Sequence, residues 1–153
     1  MPLNHKYFTF EELIYSEDAL KKYDIRNKTT QEVENNLDRL IVELLDPIRE
    51  MWGKPLQVSS GFRCDKLNGK VRGSKTSRHK DGLAADLDAG TNADNKALAK
   101  MIAASGLKFD QLIDEKGYAW VHVGLTTKDR TPRQEILRTK DGIKYTRLTP
   151  DQL

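Results

Sequence analysis

The sequence predicts an α+β fold, a small and mainly antiparallel sheet with helices packed on it. Three observations predict it. Apolar residues recur at helical spacing from Val33 to Trp52, short strand-like runs follow through the rest of the chain, and Asp141-Gly142 lies between two of those runs as a hairpin signal. The chain has 153 residues, so one domain spanning 1–153 is expected, long enough to bury a core.

Taken in order, Phe8-Thr9-Phe10-Glu11-Glu12-Leu13 reads as a helix start. Thr9 is its N-cap, Glu12 completes a capping box and Phe8 staples onto Leu13. Thr29-Thr30-Gln31-Glu32 repeats the capping-box spacing and opens a long helix. Its apolar face is Val33, Leu37, Leu40, Ile41, Leu44, Leu45, Ile48, Met51 and Trp52. Pro47 falls inside this helix and should kink it, because proline lacks the amide donor and its ring crowds the preceding turn. Residues 56–61 read as a short strand entering a turn. Residues 62–80, rich in Gly, Ser, Lys and Arg, are expected to form a long ordered loop of the kind that commonly carries function. Residues 83–87 read as a strand, and 92–105 as a helix closed by Gly106. Residues 109–115 and 119–125 read as a strand pair, and 136–139 and 143–147 as the arms of the Asp141-Gly142 hairpin.

Charge and composition exclude several classes. The formal net charge is only +3, with no basic stripe interleaved with aromatics, so nucleic acid is not an expected partner. No apolar stretch approaches the roughly 20 residues that span a bilayer, so membrane insertion is not expected. The N-terminal Met1-Pro2-Leu3-Asn4-His5-Lys6 lacks the apolar centre of a secretory signal, which predicts synthesis in the cytoplasm. Cys64 is alone, so there is no internal disulfide and stability must come from packing. A monomer is expected.

His79, Asp86 and His122 carry the chemistry. Two imidazoles and one carboxylate suit Zn²⁺, and three protein ligands leave a coordination position open, as in catalytic sites. The bland alternatives are a surface hydrogen bond between His79 and Asp86 and a half-buried strand histidine at 122. Context favours the metal: Gly82, Ala84 and Ala85 are small enough for close backbone approach, and Asp86 lies among Leu83, Ala84, Ala85 and Leu87, where an unpaired carboxylate is costly to bury. A hydrolase also needs a base for the attacking water, and Asp114 and Glu115 directly precede the turn leading to His122. Strand parity puts these two carboxylates on opposite faces without saying which faces the metal. Arg63, in Ser60-Gly61-Phe62-Arg63, is the best group for clamping a carboxylate or stabilising an oxyanion, against the default of an exposed arginine. Cys64 reads as a small buried hydrophobe rather than a ligand, and His5, in a polar N-terminal context, is left outside the site.

With these residues in view, the sequence resembles the zinc D-alanyl-D-alanine carboxypeptidase family. That family includes D-Ala-D-Ala dipeptidases and phage cell-wall endopeptidases and shares its fold with the Hedgehog signalling domain. Its pattern Ser-x-His-x-x-Gly-x-Ala-x-Asp is met by Ser77, His79, Gly82, Ala84 and Asp86. Its Ser-Gly-aromatic-Arg turn is met by Ser60-Gly61-Phe62-Arg63, and its Trp-x-His element by Trp120-Val121-His122. The N-terminal Phe-Thr-x-Glu-Glu-Leu start and Pro47-Ile48-Arg49 extend the resemblance over nearly the whole chain, most closely to a compact branch found in phages and prophages.

The resemblance implies a Zn²⁺ cofactor held by His79, Asp86 and His122, with Arg63 as the substrate or oxyanion arginine and Ser77 as a hydrogen-bonding contact to substrate. Many members place the catalytic Glu three residues before the last histidine, where this chain has Ala119. The compact branch instead resembles Phe109-Asp110-Gln111-Leu112-Ile113-Asp114-Glu115, which makes Glu115 the expected base and Asp114 the fallback. The implied activity is that of a zinc metallopeptidase cutting peptidoglycan stem peptides, as a carboxypeptidase, a dipeptidase or an endopeptidase. It would act on the cell wall after release, endolysin-like, or as part of a phage. The rival expectation is a zinc-bearing wall-binding or phage structural module without catalysis.

Overall fold

The computed structural model describes residues 4–153; Met1, Pro2 and Leu3, part of the N-terminal stretch read above, lie outside the described residues. The fold is α+β. Helices α1 (Phe10–Ile14), α2 (Gln31–Leu40), α3 (Asp46–Trp52), α4 (Asp65–Lys70) and α5 (Asn92–Ala104) accompany strands β1 (Gln57–Ser60), β2 (Ala84–Asp88), β3 (Gln111–Glu115), β4 (Trp120–Gly124), β5 (Glu135–Thr139) and β6 (Thr146–Leu148). The strand order is β1-β2-β4-β3-β5-β6, and every pairing is antiparallel except β3 with β5.

The caps follow side-chain chemistry. Thr9 Oγ1 accepts from the Glu12 amide at 3.2 Å, as expected for the first helix. In the second, the cap is Thr30, accepting from Val33 N at 3.2 Å, so the expected start at Thr29 moves one residue and Glu32 has no capping-box role. Pro47 does not break the long helix. The turns widen to a π segment over Ile41–Leu45, and the Asp46 amide bonds back to Ile41 O. The strain of a helical proline is thus absorbed in the turn before it. Leu37, Leu40, Ile41, Leu44, Leu45 and Ile48 are fully buried as predicted, whereas Met51 is 45% exposed and leaves the apolar face.

One face of the sheet supplies the rest of this core. Cross-strand partners Leu87 and Val121, Ala85 and Val123, and Leu112 with both Val123 and Ile136 lie against the helices, joined by Leu98, Ala99 and Ile102 of α5. Each fully buried aliphatic side chain contributes about 1.5–3 kcal/mol. Gly82, at φ 74°, passes so close to α2 that a Cβ there would lie 2.8 Å from the Val33 carbonyl oxygen.

Three local expectations are corrected. The segment 62–80 is not a continuous loop: it contains α4 and a 3₁₀ turn over Arg78–Asp81. Leu67 of α4 packs with Ala19 and Ile25 in a satellite cluster, and one buried leucine gave no periodicity to read. The β5–β6 connection is wider than a two-residue turn, because β5 ends at Thr139, β6 begins at Thr146 and six residues lie between. Asp141 organises it by accepting from the Ile143 and Lys144 amides at 2.8 and 2.9 Å. Cys64 is half-buried rather than fully enclosed.

Candidate metal centre

The turn after β1 is where the site begins. Gly61 lies so tightly on α1 that a Cβ would overlap the Leu13 carbonyl, and the Phe62 amide donates to that same carbonyl at 2.6 Å. Asn27 braces the turn by donating to Ile14 O and Phe62 O at 2.8 Å each and accepting from the Cys64 amide at 2.8 Å. So fixed, Gly61 presents its carbonyl to His79 Nδ1 at 2.6 Å, and the Arg63 amide donates to His79 O at 3.0 Å. A carbonyl only accepts, so Nδ1 carries the proton and Nε2 is left with a free lone pair.

Register brings the other two groups alongside. Asp86 on β2 is the direct antiparallel partner of His122 on β4, so their side chains leave the same face of the sheet, opposite the packed core. Asp86 Oδ1 lies 3.3 Å from His79 Nε2 and 3.1 Å from His122 Nδ1, and the imidazole centroids are 5.0 Å apart. His79, Asp86 and His122 are 2%, 6% and 7% exposed, and each offers a ligand atom within 4.8 Å of the others. The two separations from Asp86 Oδ1, 3.3 and 3.1 Å, are close to the roughly 3.3 Å edge of a tetrahedron with bonds of about 2.0–2.1 Å, the zinc–nitrogen and zinc–oxygen range.

The electrostatics point the same way. Burial pushes His79 below the usual imidazole value, keeping it neutral. Burial acts to raise Asp86, but its closeness to the His79 and His122 imidazoles holds it well below the usual carboxylate range. The centre is therefore a buried carboxylate set between two imidazoles, a donor set that favours a divalent cation. The residues fit zinc.

Two further groups line the same region. Glu115 is the cross-strand partner of Trp120 and sits two residues along β3 from Ile113, the partner of His122; it thus shares the face of the His79–Asp86–His122 cluster. Burial raises its carboxyl above the usual glutamate value, and the Asp86 charge adds to this, while His122, Arg63 and Lys116 oppose it. Arg63 is lowered by burial and supported by the Asp86 and Glu115 charges. Its Nε is buried without an acceptor among the described residues, and its Nη2 reaches Ser77 Oγ at a long 3.4 Å. Ser77 Oγ caps the 3₁₀ turn by accepting from His79 N at 3.2 Å.

Asp114 faces the other way. It is the partner of Val121, 2% exposed, and accepts from the Tyr118 amide at 2.7 Å and from Arg138 Nε at 2.6 Å. Those bonds hold the β3–β4 turn and tie it to β5. The Gly61 carbonyl, which sets the His79 tautomer, was not legible as a partner in the sequence; the Ser-Gly-Phe-Arg turn marked its position but not its acceptor.

The chain belongs to the peptidase M15 family, whose model matches residues 6–124. No curated protein sequence matches the chain. Family membership and the His-Asp-His cluster together support a zinc metallopeptidase. No helix among the described residues is long and apolar enough to cross a membrane.

Proposed function

We propose that this protein is a zinc-dependent peptidase that hydrolyses peptidoglycan stem peptides, with His79, Asp86 and His122 holding the metal and Glu115 as the base. The observation that carries this reading is the gathering of a three-donor cluster, a carboxylate of raised pKa and a guanidinium with a spare buried donor. Zinc bound there would supply Lewis-acid polarisation of the scissile carbonyl and a nucleophile at neutral pH.

The chain's own residues do the rest. Glu115 accepts a proton from the attacking water as oxygen bonds to the carbonyl carbon. It returns that proton to the leaving amine as the carbon–nitrogen bond breaks. A carboxyl raised by burial is matched to both halves of this cycle, since it holds a proton more readily than a solvated glutamate. Arg63 directs its unused donors at the developing oxyanion or at a substrate carboxylate. Ser77, whose oxygen already accepts from His79 N, retains its own proton to donate to substrate. The Gly61 carbonyl keeps His79 oriented throughout. The setting that fits is the cell wall, reached after release or as part of a phage particle.

Mass spectrometry of defined stem peptides incubated with zinc-loaded protein, with and without chelator, tests the reading. Chelator-sensitive cleavage is expected, and the product masses identify the bond as a terminal D-Ala-D-Ala linkage or an internal one. Intact linear and cross-linked substrates after incubation with protein shown to carry zinc would overturn catalysis and favour a wall-binding module.

A further inference from the structure

Beyond residue 124, where the family match ends, the chain continues as β5 and β6, and these strands place a loop beside the centre. β5 lies parallel to β3 with Thr139 opposite Glu115, and the Lys116 amide donates to Thr139 O at 2.8 Å. The connection to β6 therefore leaves the sheet directly next to Glu115. It is a braced loop: Thr139 Oγ1 accepts from the Gly142 amide at 2.8 Å, and Asp141 accepts from the next two amides.

This loop carries two large exposed side chains, Ile143 at 80% and Tyr145 at 47%. The only bond of the Tyr145 hydroxyl among the described residues is a long 3.4 Å donation to Gly142 O, so its hydrogen-bonding capacity is largely unused. Arg138 pairs with Thr146, so Tyr145 enters β6 at the end of the sheet where Thr139 lies opposite Glu115. Burial raises the phenol's pKa, and the Glu115 and Asp86 charges add to this. Glu115 is thus flanked by Trp120 on β4, by Thr139 on β5 and by the Tyr145 loop.

We propose that Tyr145 is a substrate-binding residue that forms one wall of the cleft beside Glu115, its ring packing on the peptide and its hydroxyl donating to a peptide carbonyl or carboxylate. The inference rests on the peptidase reading for its ligand, a cell-wall stem peptide. A half-exposed aromatic on a braced loop suits this role, because it offers contact area with few rotamers to immobilise.

Two measurements test it. Steady-state kinetics would compare wild type with Tyr145→Phe and Tyr145→Ala. Calorimetry would measure binding of a synthetic stem pentapeptide ending in D-Ala-D-Ala to zinc-loaded Glu115→Gln protein, with and without Tyr145→Ala. The expected result is a rise of about tenfold in KM and in Kd for Tyr145→Ala. Tyr145→Phe should show a smaller rise, with kcat and zinc content little changed. KM and Kd within twofold of the parent proteins would overturn the proposal. Should wild type fail to cleave while Kd still depends on Tyr145, the peptidase reading falls and the contact stands. Pentapeptide that binds neither protein would overturn both.

Discussion

Glu115 and Asp114 are adjacent in sequence and chemically alike, yet the structure gives them opposite surroundings. Glu115 shares a face with His122, whereas Asp114 is sealed in an ion pair with Arg138. Glu115→Gln should lower kcat by about 10²–10⁴ while zinc content is unchanged. Asp114→Asn should instead lower thermal stability and leave the folded fraction active. Active Glu115→Gln protein alongside dead but stable Asp114→Asn protein would reverse the assignment. The Arg63 charge adds a pH signature. It favours ionised Glu115, so Arg63→Met raises the carboxyl pKa and moves the acidic limb of kcat/KM to higher pH. Sequence alone reached the pair and could not choose, because alternation separates neighbours without saying which side is packed.

At the scale of elements, the turn between β1 and α4 controls the centre without contributing a ligand atom. Gly61 touches the Leu13 carbonyl on one side and directs its own carbonyl to His79 on the other. Gly61→Ala should therefore cost about 1–3 kcal/mol of stability through overpacking. It should also weaken zinc binding about 10–100-fold by withdrawing the partner that orients His79. Thermal melts and competition with a chelator read the two effects separately. Unchanged zinc affinity in a destabilised variant would show that the carbonyl is dispensable. The caps, the amphipathic α2 and the strand runs were legible because their signals lie within a few residues of one another. Helix α4 was not, since a six-residue helix with a single fully buried leucine carries no periodicity.

For the whole molecule, the metal would join segments far apart in the chain: the 3₁₀ turn, β2 and β4. Ligand binding to the native state alone stabilises it by about 2.7 kcal/mol at a hundredfold excess over Kd. For a chain of this size that is a rise in Tm of about 5–10 °C. Zinc should raise Tm by this order and chelator should reverse it. A Tm indifferent to both would mean that the three donors do not hold the ion.

The sequence by itself singled out His79, Asp86, His122 and Arg63 as candidates and located most helix and strand starts to within a residue or two, since residue type and short spacing mark them. Tertiary structure alone decided the facing of Glu115, the role of the Gly61 carbonyl, the parallel placement of β5 beside β3 and the approach of Tyr145. These depend on cross-strand register and on contacts between distant segments. Period-two alternation says which residues of one strand share a face, and only pairing with the next strand says what that face meets.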